Sequence, residues 1–252
     1  MKEKLYTIPL NDAVNANDEC PFCFIERNVE QDLLDYVLGS GASYMERDMR
    51  DITDKEGFCR EHFKKMFTYG NTLGNGWILK THYMRTIEDM RKQFKGYHPG
   101  KVSLKDRFSK DKDMNPLARW AYEKKDSCYI CKQFKETYSR YLDTFYYMWN
   151  NDPEFVQKIK SGKGFCIPHF GDLVNGADLK ISNDKKEDFF NTLTEVMEKN
   201  MDRLFEDVAW LVEKFDYVNQ DADWKNSKDA IQRGMQKLKG GYPADGPYKS
   251  AK

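Results

Sequence analysis

The chain has no apolar run of membrane-spanning length, and its first ten residues, Met1 to Leu10, lack the apolar centre of a signal peptide. A soluble protein of the cytoplasm is expected, with no membrane partner. Net charge is missing too, since Lys+Arg 41 balances Asp+Glu 41. Proteins that grip phosphate backbones need a positive field, so nucleic acid is not an expected partner. The lysines of residues 101 to 112 have Asp106, Asp111 and Asp113 among them and read as a solvated linker.

Catalytic signatures are absent as well. There is no His-Glu-x-x-His, and no deaminase pairing of His-x-Glu with Pro-Cys-x-x-Cys, because Glu19 directly precedes Cys20. Ser161-Gly-Lys-Gly164 lacks the leading glycine and the Ser/Thr after lysine that a phosphate-binding loop needs. Whether the protein is an enzyme is left open. No segment sustains the alternation of a half-buried strand, so the expected fold class is all-α. A hydrophobic content of 40% over 252 residues suffices for one large domain or two modest ones.

Against these absences, one split motif occurs twice. The first copy is Cys20-Pro-Phe-Cys23 followed by Gly57-Phe-Cys59-Arg-Glu-His62, and the second is Cys128-Tyr-Ile-Cys131 followed by Gly164-Phe-Cys166-Ile-Pro-His169. The intervals from Cys23 to Cys59 and from Cys131 to Cys166 are nearly equal. All 6 cysteines and 2 of the 4 histidines fall in the two copies, so the pattern is not scattered chance. Residues three apart on a helix share a face, and three thiolates with one imidazole saturate a tetrahedral zinc ion. In a reducing compartment, clustered cysteines are ligands or redox groups more often than disulfides.

The expected metal ligands are therefore Cys20, Cys23, Cys59 and His62 at one site, and Cys128, Cys131, Cys166 and His169 at the other. Zinc, two ions per chain, is favoured. An iron–sulfur cluster is the alternative, and an exchange of ligands between the copies is compatible with the same spacing. Buried thiols acting as small apolar side chains are the plain competing reading. Cys-Pro-Phe-Cys also looks like a glutaredoxin dithiol. That chemistry sits at the end of a strand in a βαβ unit, which is not found here, and the second copy lacks the proline.

Taken in order, residues 1–19 read as an irregular lead-in, 20–96 as a first helical repeat, and 97–114 as a connector. Residues 115–218 form a second repeat and 219–252 a thinning tail with one weak helix near 226–239. In the first repeat, Leu79, Tyr83, Ile87, Met90 and Phe94 mark the apolar side of a long helix that Gly96 closes. In the second, Asn115-Pro116 and Asp152-Pro153-Glu154 are helix starts. Phe134, Tyr138, Tyr141, Phe145 and Trp149 form an aromatic stripe, read as core before ligand groove. Phe189, Leu193, Val196, Met197, Leu204, Val208, Leu211 and Phe215 stripe a last long helix. His82 lies beside an apolar stripe, where a half-buried histidine is the simpler reading than a catalytic base. Each half reads CxxC helix, short helix, GFCxxH helix, long helix, an order that suggests internal duplication.

The paired CxxC…GFCxxH motifs resemble an uncharacterised family of bacterial proteins, some loosely labelled as transporter substrate-binding proteins. The resemblance covers about residues 18 to 215 and rests on the eight Cys and His positions and the Gly-Phe before each third cysteine. It implies a helical metal-binding protein without an assigned activity. The combined expectation is a duplicated helical bundle, each half stapled by its own Cys3His site. It would bind an unknown protein or small molecule, or act as a scaffold, through a groove between the repeats. The alternative is an iron–sulfur or thiol-based redox protein.

Overall fold

In the computed structural model, residues 5–41, 43–99, 114–241 and 243 are described, and the regular structure among them is helical throughout, as expected for an all-α chain. The helices are α1 (Thr7–Asn15), α2 (Pro21–Leu38), α3 (Arg47–Glu56), α4 (Arg60–Tyr69), α5 (Thr72–Gly96), α6 (Pro116–Asp126), α7 (Tyr129–Asn151), α8 (Pro153–Ser161), α9 (Ile167–Lys180), α10 (Lys186–Glu213) and α11 (Ala230–Lys239). Among the described residues, no helix is long and apolar enough to cross a membrane.

The helix starts follow the local chemistry of the sequence. Asn115 accepts a hydrogen bond from Leu117 N ahead of Pro116, and Asp152 accepts from Glu154 N and Phe155 N ahead of Pro153. Gly70, at φ 90°, ends α4, and Asn71 then caps α5 by accepting from Gly74 N. Asn71 also donates to Leu38 O at 2.7 Å, which ties this corner to the end of α2.

Contacts divide the chain into two compact units, at residues 30 and 134 and not at the 97–114 connector. Residues 100–113 of that connector lie outside the described residues. One unit is Gln31–Phe134. Its core joins Leu34, Val37 and Leu38 of α2 with Tyr44, Met49, Phe58, Met66, Tyr69 and Ile78, and with Cys128, Tyr129 and Ile130 at the start of α7. The buried residues of α5 are Gly74 and Ile78 in its first turns, and the helix packs against α3. The expected stripe of α5 is largely solvent-facing, with Tyr83 62% and Phe94 55% exposed. Periodicity located that helix but not its packed side.

The other unit joins the described residues up to Glu30 to those from Lys135 onward. Phe22, Phe145, Trp149, Phe155, Phe165 and Phe189 are its largest fully buried apolar side chains. Phe145 meets Phe22, Phe155 and Phe165 at ring distances of 5.7, 5.3 and 5.8 Å. The α7 stripe is thus core from Tyr141 to Trp149 and lines no groove there.

Two expectations need correction. The lead-in contains α1, which packs against α8 and has Leu10 and Ala13 fully buried. The stretch after 219 is also partly integral. Lys214 donates to the carbonyls of Asn219, Gln220 and Ala222 at 2.6–2.7 Å, which turns the chain back toward α11. Ala230, Arg233, Gln236 and Lys237 of α11 are then buried. Of the final stretch, Tyr242 and residues 244–252 lie outside the described residues.

Candidate metal centres

Four helices begin in the same way, each with a cysteine at its N-cap. The carbonyl oxygens of Cys20, Cys59, Cys128 and Cys166 accept from Phe24 N, Phe63 N, Lys132 N and Phe170 N at 3.2, 2.9, 3.1 and 2.9 Å. The residue three further on, one turn into the helix, is Cys23, His62, Cys131 or His169. Each pair therefore sits where backbone N–H groups lack helical partners and the helix dipole is positive, a place that favours thiolate. Cys131 N itself donates to Cys128 Sγ at 3.4 Å.

Tertiary packing brings these four helix starts together two by two, and the pairs cross. One tetrad is Cys20, Cys23, Cys166 and His169, from α2 and α9. The other is Cys59, His62, Cys128 and Cys131, from α4 and α7. The eight expected residues come together as two tetrads, grouped across the sequence copies rather than within them. Cys20 and Cys23 meet Cys166 and His169, while Cys59 and His62 meet Cys128 and Cys131. The physical reason is that Cys20 and Cys23 belong to the compact unit that contains α9, whereas the unit around α4 contains the start of α7. The bodies that the two tetrads would staple are these units, not the sequence halves.

In the first tetrad, Cys23 Sγ is 3.7 Å from Cys166 Sγ. His169 Nδ1 lies 3.3, 3.6 and 3.0 Å from the sulfurs of Cys20, Cys23 and Cys166. In the second, Cys59 Sγ is 3.8 Å from Cys131 Sγ. His62 Nδ1 lies 3.2, 3.3 and 3.4 Å from the sulfurs of Cys59, Cys128 and Cys131. A tetrahedron with Zn–S of about 2.3 Å and Zn–N of about 2.0–2.1 Å has edges of about 3.8 Å between sulfurs and about 3.5 Å from sulfur to nitrogen. In each set the sulfur–nitrogen edges and one sulfur–sulfur edge are close to that size, and all four donor atoms lie within 4.8 Å of one another, so both fit a single tetrahedral ion. The sulfurs are too far apart for disulfides, and all six cysteines are free.

The Gly-Phe before each third cysteine has a backbone role. Gly57 and Gly164 adopt φ of 64° and 75°, in the left-handed region that side chains disfavour. This turn swings the chain into the N-cap cysteine. Gly57 O also accepts from Tyr129 N at 2.9 Å, so the approach to α4 is bonded directly to the start of α7. A Cβ on Gly57 would stand 2.6 Å from Cε1 of His82, whose Nδ1 lies 3.0 Å from Asp54 O. His82 is a packing residue behind the turn. Gly57→Ala is expected to lower stability by about 1–3 kcal/mol in chemical denaturation.

Around the first tetrad the supports are explicit. His169 presents Nδ1 to the sulfurs, and its Nε2 pairs with Glu26 Oε1 at 3.1 Å, which holds the ring in that orientation. The rings of Phe22 and Tyr138 lie 5.6 Å from the imidazole. Glu26→Ala is expected to weaken metal binding at this tetrad about ten- to hundredfold, read by competition with a chromogenic chelator. Glu19, only 2% exposed, sits beside Cys20 and faces four cations. Its carboxylate is 2.5 Å from Arg203, 3.4 Å from Arg233, 3.5 Å from Lys237 and 3.9 Å from Lys163. Lys237 Nζ also donates to Glu19 O and Lys163 O, both at 2.6 Å. The end of α11 closes over the sulfurs, since a Cβ at Gly240 would lie 3.6 Å from Cys166 Sγ and 3.9 Å from Cys23 Sγ.

The electrostatics of both tetrads are those of closely coupled thiols. Burial opposes a charge on Cys20, but hydrogen bonds from Cys166, Cys23 and His169 outweigh it and hold the thiol well below its ordinary pKa. Hydrogen bonding with Cys166 and Cys20, together with burial, pushes Cys23 up. Burial likewise opposes charge on Cys128, yet hydrogen bonding from His62 and backbone amides brings it down to about 6. Burial and the Cys128 thiolate push Cys131 up to about 12. A divalent cation bound at either tetrad would have to displace the proton of the raised thiol, Cys23 in one and Cys131 in the other.

Sequence reasoning found the eight donors and missed Glu26, Glu19, Arg203, Arg233, Lys237 and Gly240. Glu26 carried a usable signal, since it lies on the CxxC helix and ligand histidines commonly pair with a carboxylate. The C-terminal residues carried none, because they reach the site only through tertiary packing.

A model of DUF6062, described as a family of unknown function, matches residues 1–245, and the chain belongs to that family. No curated protein and no solved structure matches the chain significantly.

Proposed function

We propose that this DUF6062 protein is a zinc protein with two structural Cys3His centres that hold a helical binding or scaffolding module in shape. The observation that carries the reading is the pair of tetrads, each three sulfurs and one nitrogen at the edge lengths of a tetrahedral zinc site. Cys20, Cys23, Cys166 and His169 would hold one ion and Cys59, His62, Cys128 and Cys131 the other. The zinc would supply cross-linking between helix starts. Four protein donors leave no coordination position for water, so a structural role fits better than hydrolysis. The compactness of each donor set favours a single ion over an iron–sulfur cluster, whose bridging sulfides spread the protein thiolates wider.

Free thiols at every cysteine fit a reducing compartment such as the cytoplasm. The order CxxC helix, short helix, GFCxxH helix, long helix runs through α2–α5 and again through α7–α10, which supports an origin by duplication. Exposed apolar side chains support a docking role for a protein partner. Phe205 and Val212 recur along α10 at 73% and 67% exposure, followed by Phe215 at 78%.

The test is metal analysis with visible absorbance on protein purified without air and without added metal. About two zinc per chain and no colour are expected from two Cys3His sites. Iron with acid-labile sulfide and a brown colour would replace this reading with an electron-transfer protein.

A further inference from the structure

The two tetrads differ in how solvent reaches their sulfurs. Every donor of the Cys20/Cys23/Cys166/His169 tetrad is buried, its three sulfur residues completely so. The turn at Gly240 rests against two of those sulfurs, and Glu19 with its cations lies directly behind Cys20. The other tetrad has the same donor chemistry and nearly the same dimensions. Yet Cys131 is exposed and Cys59 only half-buried, and their sulfurs are 3.8 Å apart. Thiolate chemistry with small oxidants depends on access to sulfur, so like ligands in unlike surroundings react at different rates.

We propose that the Cys59/His62/Cys128/Cys131 tetrad is a peroxide-responsive, releasable metal site, while the buried tetrad is permanent. This rests on the zinc reading above. In the reaction, the Cys131 thiolate attacks a peroxide oxygen. A sulfur–oxygen bond forms, the oxygen–oxygen bond breaks, and hydroxide leaves and takes a proton to become water. The Cys59 thiolate then attacks the Cys131 sulfur. A disulfide forms, and the sulfur–oxygen bond breaks with loss of a second hydroxide, which also becomes water on protonation. Two thiolates, one hydrogen peroxide and two protons thus give one disulfide and two waters, and two electrons pass from sulfur to peroxide. The sulfurs need only close from 3.8 Å to about 2.05 Å. Cys128 and His62 alone are then too few ligands to keep the ion.

The experiment is hydrogen peroxide treatment of the full-length zinc-loaded chain. Release is followed with a chromogenic chelator, and disulfides are mapped by peptide mass spectrometry. Zinc content is measured before treatment. A chain without zinc at that stage would sink the underlying metal reading, whereas a chain with two zinc tests this proposal alone. The expected result is one equivalent released at least roughly tenfold faster than the other, together with a Cys59–Cys131 disulfide. Cys131→Ser should abolish the fast phase. If that variant does not fold, the disulfide map of the unaltered chain decides. A single release phase, or a first disulfide among Cys20, Cys23 and Cys166, would overturn the proposal.

Discussion

The double replacement Cys20→Ser with Cys166→Ser should remove one zinc equivalent per chain, and Cys20→Ser with Cys59→Ser should remove both. The first pair damages a single tetrad twice, while the second damages each tetrad once. Had the sites been assembled within each CxxC…GFCxxH copy, the two outcomes would be exchanged. Metal analysis after desalting reads the difference directly, as a whole ion per chain. Stability should follow. Apparent zinc binding in small Cys/His modules is on the order of 10 kcal/mol, comparable to the 5–15 kcal/mol that holds an ordinary domain together. The variant lacking both ions should therefore lose cooperative thermal unfolding, whereas the other should keep one transition for the unit whose tetrad is intact.

The second large effect is expected at Glu19. Its carboxylate is almost completely buried among Arg203, Arg233, Lys237 and Lys163. Glu19→Ala leaves those cations without their common counter-ion. Removing one partner from a buried ionic group costs about 3–5 kcal/mol, far more than an exposed pair is worth. Asp207 softens the loss, since it is 2.9 Å from Arg233 and 3.8 Å from Arg203. Urea unfolding of the full chain with zinc in excess measures the effect. A change below about 1 kcal/mol would mean that the cluster is hydrated as surface pairs are.

The donors were legible in the sequence because the rule that places them is local. A cysteine at a helix start and a second ligand three residues on form one unit of about one turn, and the residue types announce it. How such units combine is a tertiary fact, and both groupings use the same eight residues at the same spacings. Helix positions were legible for the same reason, since the Asn-Pro and Asp-Pro pairs begin helices by backbone chemistry. The packed face was not always legible. On α5 the regular apolar stripe is largely exposed, and the buried side uses Gly74 and Ile78. In α11, Arg233, Gln236 and Lys237 look like surface residues, yet they are buried because Glu19, Asp18 and backbone carbonyls supply partners for their polar groups.

The crossed grouping of the donors also has a consequence for a chain emerging from the ribosome. The Cys59/His62/Cys128/Cys131 tetrad is enclosed, in chain order, by the one that runs from Cys20 to His169. During synthesis, Cys20, Cys23, Cys59 and His62 appear first and make up a complete Cys3His donor set before either native tetrad is possible. Cys128 follows His62 by 66 positions, about 3–13 s later at ordinary translation rates. A nascent chain that captured a metal ion in this interval would hold it with four donors that the folded chain divides between two tetrads, and would have to exchange two of them. The timing of metal delivery relative to translation would therefore select between two products with the same donor set but different threading.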